Sequence, residues 1–233
     1  GAFLVSIIIT GSYGWSIERV AYRPLRDSPR ISIMISAIGA SFLIENLAIV
    51  LFDARPKAFP VPEFFARNLV VEGVHIASVS LIIPLVTAVA LAVLLWIVYR
   101  TRVGMAMRAV STDIDAARLM AIDVNKIVSI TFAIGSALAA VGGIMWAMKY
   151  PRLEPLMGIM PGLKCFIAAV IGGIGSIAGA VLGGLLLGII ELMTIAFLPE
   201  FTGYKDAFAF VLLIVVLLVK PTGLLGKNQG EKV

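Results

Sequence analysis

Pro161–Leu198 reads PGLKCFIAAVIGGIGSIAGAVLGGLLLGIIELMTIAFL. It is apolar almost throughout, and glycines break it at Gly172, Gly173, Gly175 and Gly179. A helix needs about 20 mostly apolar residues to cross a bilayer. The part before the break, Leu163–Ile174, is too short for a hydrocarbon core of about 30 Å at about 1.5 Å per residue. The part after it, Ile177–Leu198, is long enough. The stretch predicts a short half-helix, a turn at Gly172-Gly173-Ile174-Gly175-Ser176, and a full helix returning. Two ordinary spans joined by a tight turn are the competing reading, and helix length favours the half-helix. Backbone broken at membrane depth survives only where protein or a water-filled cavity surrounds it.

Other apolar runs flank this stretch: Gly1–Ile17, Ile31–Phe52, Ile76–Tyr99 and Ile127–Met148 before it, Ala207–Val219 after it. Of 233 residues, 60% are hydrophobic and 14% charged, with a mean hydropathy of +1.03. An ordinary soluble domain carries about 25% charge. Too few polar side chains remain to cover a soluble surface, so the composition reads as an integral membrane protein, all-α and polytopic. Gly1–Ile17 opens on Gly, without the basic start of a signal peptide. It is expected to be the tail of a span, in a fragment lacking earlier ones. The whole chain, 1–233, reads as a single transmembrane domain, with 100–126 as a cytoplasmic loop within it.

The net charge is +5, from 19 Lys and Arg against 14 Asp and Glu. The basic residues lie between apolar runs and read as topology signals, not as a nucleic-acid surface. Arg19, Arg23, Arg26, Arg30, Arg100, Arg102, Arg108, Arg118, Lys126, Lys220, Lys227 and Lys232 fall in one set of loops. Arg55, Lys57, Arg67, Lys149, Arg152 and Lys205 fall in the alternate set. The richer set belongs in the cytoplasm, which places the C-terminus there. By parity the stretch 161–198 must begin and end outside, as a re-entrant half-helix plus one span does. Tyr13, Trp15, Trp96, Tyr99, Trp146 and Tyr150 sit at run ends, where amphipathic rings prefer the interface.

Few residues carry chemistry. Glu45, followed by Asn46, and Glu191 are acids within spans, which usually face a bundle interior or aqueous cavity. Each reads either as a wall of a polar pathway or as an interhelical hydrogen bond. Gly172, Gly173 and Gly175 join them as candidate path residues at the half-helix turn. Lys164 is expected to snorkel to the outer interface, not to pair with Glu191. Pro84 should kink its span. Gly175, Gly179 and Gly183, like Gly135, Ala139 and Gly143, recur every fourth residue, a spacing that lets helices approach closely. The single Cys165 and single His75 support neither a disulfide nor a metal cluster. No Gly-Lys-Ser or Gly-Lys-Thr phosphate loop and no nucleophile elbow is present, so no residue reads as catalytic.

The loop Arg100–Lys126 is more specific. Thr112 reads as a helix N-cap and Asp115 as its capping-box acid, with Asp113 also at the positive helix end. Ala116, Ala117, Leu119, Met120 and Ile122 then give a short helix with an apolar face. Outside the membrane, such a face suggests docking to another protein; a connector helix packed on its own subunit is the alternative.

Here the chain resembles a known family. Gly104-Met105-Ala106-Met107-Arg108-Ala109 and Asp115-Ala116-Ala117-Arg118-Leu119-Met120-Ala121-Ile122-Asp123 are similar to the cytoplasmic loop of branched-chain amino acid (leucine, isoleucine, valine) ABC-transporter permeases. Tyr13–Arg26, Ile35–Gly39, Ala168–Ala180 and Lys220–Gly226 resemble further segments of the same family. The resemblance implies a multi-pass protein of the bacterial inner membrane that imports its substrate by alternating access. It implies a second permease subunit, two ATP-binding subunits that hold ATP and Mg, and a periplasmic substrate-binding protein, with membrane lipid around them. The ATPase activity would belong to the partners, and the permease would carry no cofactor. Residues Arg108, Thr112, Asp113, Asp115, Ala117, Arg118, Leu119 and Met120 match the helix that couples to the ATPase. Ala121 stands where many members have Gly, and as a better helix former Ala should lengthen that helix. Glu45 stands where Gln is expected. The positive end of the half-helix, near Gly162 and Leu163, would favour the substrate carboxylate. Urea or short amides are the rival substrates, and an ion-coupled secondary transporter the rival class.

Overall fold

In the computed structural model, residues 1–25, 28–60, 68–71, 74–197 and 199–226 are described. The Arg26, Arg67, Lys227 and Lys232 positions of the charge pattern, and Leu198 at the end of the long apolar stretch, lie outside them, as do the side chains of Arg30, His75 and Lys205. Helices follow the apolar runs closely: α1 Ala2–Ile17, α2 Arg30–Phe52, α3 Ser78–Arg100, α6 Val124–Lys149, α8 Ile177–Phe197 and α9 Lys205–Val219. Between α3 and α6 lie α4 Arg102–Thr112 and α5 Ile114–Leu119, and α7 spans Ile159–Gly172. Among the described residues, Ile31–Phe52, Ser78–Arg100, Val124–Lys149 and Ile177–Phe197 are long and apolar enough to cross a membrane. The fold is an all-α polytopic bundle.

The strands are short. β1 (Lys57–Ala58) pairs antiparallel with β4 (Arg152–Leu153), and β2 (Asn68–Val71) with β3 (Val74–Ala77), Asn68 opposite Ala77 and Val71 opposite Val74. One expectation changes here. The backbone after α1 does not open into a loop but continues as a wide π-turn, Glu18–Tyr22, and a 3-10 turn, Arg23–Leu25. Helix α3 runs unbroken through Pro84. Pro84 lies in the second turn, where it removes the N–H that would reach the Ser80 carbonyl.

The chain divides into two compact units, Gly1–Pro155 and Leu156–Val233. In the first, α1 lies along α6. The close approach is made by glycines of α1: Gly11 comes within 3.4 Å of Ala133 O for an added Cβ, and a Cβ at Gly14 would overlap Ser136. The spacing Gly135, Ala139, Gly143 on α6 does not serve this contact, because nothing lies within 4 Å of a Cβ at Gly135 or Gly143. Val79, Met145 and Met148 form the buried apolar cluster of this unit, near one end of α3 and α6.

In the second unit α7 and α8 form the expected hairpin of a short and a long helix. Helix α7 starts earlier than the pattern predicted, at Ile159, yet its 14 residues remain short of the bilayer core. The turn needs Gly173, whose φ of 106° is open to glycine and rarely to other residues. Gly172 packs against the backbone of Gly179, and Gly183 against Ala168, so α7 and α8 touch backbone to backbone. The C-terminal segment closes this end: Leu224 N donates to Ile171 O at 2.8 Å and Leu225 N to Gly172 O at 2.9 Å. Ile167, Ile171, Leu187 and Ala209 are the buried core between α7, α8 and α9.

Candidate functional site

The elbow of α4 and α5 is built from caps. Thr101 caps α4, accepting from Gly104 N at 3.1 Å, and Gly104 is pressed so closely on the carbonyls of Ile97 and Val98 that no Cβ fits. The Arg108 guanidinium donates to Val98 O at 3.0 Å and lies 5.3 Å from the Tyr99 ring, so it ties α4 back to the end of α3. A cation at a helix C-terminus satisfies carbonyls that lack a partner within the helix.

The N-cap of α5 is Asp113, not Thr112. Asp113 accepts from Asp115 N and Ala116 N, both at 3.0 Å, while Thr112 ends α4 and donates to Arg108 O at 2.9 Å. The expected coupling helix therefore contracts to Ile114–Leu119, and Asp115 is not a capping-box partner but stands 3.9 Å from Arg118 in an exposed pair. Nor does Ala121 lengthen the helix. It takes a left-handed φ of 58°, with Ala121 N donating to Arg118 O and Ile122 N to Ala117 O. These two bonds form a Schellman close, a geometry that stops a helix whatever the propensity of the residue holding it.

The elbow turns its apolar residues outward. Leu119 is 88% and Met120 78% exposed, and Ile114 and Met105 are exposed too, whereas Ala117 is 3% exposed. Of the eight residues matched to the coupling helix, Ile114's neighbours Asp115, Arg118, Leu119 and Met120 offer side chains to a partner. Arg108, Asp113 and Ala117 are used within the chain.

The candidate path residues are divided between the two units. In the first unit Glu45 is half-buried without a hydrogen-bond or ion-pair partner among the described residues, and Asn46 donates to Phe42 O of its own helix at 2.7 Å. In the second unit Gly172 and Gly173 are consumed by packing, and only Gly175, with a φ of 92°, faces open space. Glu191 is an ion-pair residue. Lys164 does pair with Glu191, against expectation: its Nζ lies 2.8 Å from Glu191 Oε1 and 2.8 Å from Asp206 Oδ1, joining α7, α8 and α9 at the end away from the glycine turn. The Gly162 N–H donates to Gly158 O at 2.9 Å, so it is not one of the free donors at the start of α7.

Two residues escaped the sequence reading. Asp206 begins the last helix and looks like an ordinary first-turn acid. Glu18 follows the first apolar run, where it reads as the start of a loop, yet it is fully buried and accepts a hydrogen bond from Ser129. Its signal was its position at a span end next to Arg19.

The sequence model of the family described as "Branched-chain amino acid transport system / permease component" matches residues 1–217. The high-affinity branched-chain amino acid transport system permease protein BraD of Pseudomonas aeruginosa is 45% identical, the match covering 100% of this chain and 76% of BraD. LivH of Escherichia coli K12, of the same description, is 43% identical over 99% of this chain and 75% of its own length. The xylose transport system permease protein XylH of Escherichia coli K12 is 31% identical over 50% of this chain and 31% of XylH. No solved structure matches the chain.

Proposed function

This chain belongs to the branched-chain amino acid transport permease family, and on that premise we propose that it is one of two permease subunits of an ATP-driven importer of leucine, isoleucine and valine. It is a membrane permease, not an enzyme. The observation that carries the substrate is the likeness along the whole chain to BraD and LivH, whose names state branched-chain amino acids. The likeness to the xylose permease covers half of the chain and supports the transport architecture without supporting a sugar.

The mechanism is alternating access in the inner membrane, with the C-terminus in the cytoplasm. Two ATP-binding subunits, holding ATP and Mg, close on ATP and draw the coupling elbows together. Each elbow is gripped at Leu119 and Met120, whose exposed apolar side chains suit a groove on a partner. The push passes through the short segment 120–123 into α6, whose first turn Asp123 caps by accepting from Lys126 N at 3.1 Å. A soluble receptor delivers the amino acid from the outside. The substrate is a zwitterion with an apolar side chain, so its cavity needs an apolar wall and few polar groups.

Uptake of radiolabelled leucine into vesicles, with the full set of partner subunits and urea as competitor, tests this reading. Uptake that requires ATP and the receptor and ignores urea is the expected result. Competition by urea alone would replace the substrate, and uptake without ATP would remove the mechanism.

A further inference from the structure

We propose that Glu18 and Ser129 form the latch through which motion of the coupling helix reaches α1, which makes Glu18 a positioning residue for transport; this rests on the ATP-driven import described above. Among the described residues Glu18 is the one acidic or basic side chain in the buried class, at 0% exposure, and Ser129, at 7%, donates to its Oε2. The Ser129 hydroxyl also lies 3.0 Å from Asn125 O, one turn back on α6. A carboxylate removed from water is costly unless charge-assisted hydrogen bonds compensate it. For stability alone an apolar pair of similar volume holds two helices at least as well. The burial therefore points to a directional job at this place.

The place is the root of α6. Ser129 lies in its second turn, about 8 Å along the axis from the first residue, and only 120–123 separate α6 from α5. Above the latch, Gly11 and Gly14 let α1 come close to α6, with no space for a Cβ at Gly14 beside Ser136. At the other end of the π-turn, Tyr22 lies against Phe132 of α6 with ring centroids 5.0 Å apart. The π-turn begins at Glu18 itself. Such wide turns are enriched at functional sites, and here both ends of one, Glu18 and Tyr22, rest on α6. A push on α5 thus moves α6 and, through the latch, α1 with the turn 18–22 as one body.

Cutting the latch should let ATP hydrolysis continue while less substrate moves. The complete transporter, with its second permease, ATP-binding subunits and receptor, is reconstituted in liposomes, and leucine uptake and ATP hydrolysis are measured together. For Ser129→Ala and Glu18→Ala, uptake per ATP falls at least about fivefold, the low end of ordinary coupling between sites, with ATP hydrolysis within about twofold of wild type. The losses do not multiply in the double variant, because Ser129→Ala removes an interaction that Glu18→Ala removes as well. Ser129→Thr, which keeps the hydroxyl, restores the ratio. A wild-type ratio in Ser129→Ala, equal losses of uptake and hydrolysis, or losses that multiply in the double variant would overturn the proposal. If Glu18→Ala does not assemble, Ser129→Ala against Ser129→Thr decides alone. A wild-type complex that hydrolyses ATP and takes up no leucine would strike the import reading instead.

Discussion

Ala121 shows how one backbone angle overrides propensity. Its φ of 58° puts a Cβ where L residues are disfavoured by roughly 1–2 kcal/mol. The Schellman close holds it there because the Ala121 and Ile122 amides satisfy the last carbonyls of α5. Ala121→Gly removes the penalty and should stabilise the end of α5 by about 1 kcal/mol. Hydrogen exchange of the Ile122 amide reads this directly: protection should rise about fivefold, and unchanged protection would mean the angle carries no strain. Helix propensity could not have shown this, because it scores Ala as a helix interior residue and the stop lies in the pairing of two amides. Asp113 teaches the same lesson. Thr112, Asp113 and Asp115 all carry oxygens suited to capping, and only the extended φ of −156° at Asp113 selects the one that serves.

At the scale of elements, the apolar runs were legible because lipid demands continuous apolar length, and length survives in sequence. The partners of each helix were not, because small residues recur on several faces and spacing does not say which face meets a neighbour. Glycines on α6 and α8 have the same interval, yet Gly135 and Gly143 face open space while Gly179 and Gly183 are pressed on α7. Gly14→Ala should lower the thermal unfolding midpoint of the detergent-solubilised protein, as overpacking costs about 1–3 kcal/mol. Ser136→Gly in the same chain removes both overlapping atoms and should recover it, whereas Gly135→Ala and Gly143→Ala should leave the midpoint near wild type. A Gly14→Ala protein as stable as wild type would show that α1 and α6 do not pack this way.

The ion cluster was hidden for a related reason. Lys164, Glu191 and Asp206 come from three helices, and Asp206 stands just before the apolar run Ala207–Val219. One ammonium serves two carboxylates, so the three variants are not equivalent. Lys164→Gln leaves two acids facing each other and should be the most destabilising, though by less than about 3 kcal/mol since each side chain keeps a fifth or more of its exposure. Glu191→Gln and Asp206→Asn each leave a balanced pair and should cost less. The order of the three thermal midpoints tests this; a Lys164→Gln midpoint above either acid variant would rule the cluster out.

At the scale of the whole molecule, each unit is held by devices suited to its place. In the second, the glycine turn is locked by the C-terminal segment at one end and the ion cluster ties the helices at the other. In the first, α1 and α6 are bound along their length, and the elbow of α4 and α5 packs on α3 and α6 with its caps satisfied internally. The elbow's own bonds make it rigid, so its exposed face is free to serve a partner without loss of fold. Leu119 contributes little to the chain's stability because 88% of it is exposed, and a surface substitution there stays within about 0.5 kcal/mol. Leu119→Asp should therefore leave the thermal midpoint of the isolated chain unchanged. In the transporter proposed above it would place a charge in the proposed apolar contact, and binding of the ATP-binding subunits should weaken at least about tenfold. Ala117→Leu should behave differently, overpacking the buried face of α5 and lowering midpoint and binding together. Co-purification of the ATP-binding subunits and leucine uptake, measured on both variants beside the midpoint, separates docking from folding. If Leu119→Asp retains its partners and its uptake, the contact with the ATPase lies elsewhere than on α5.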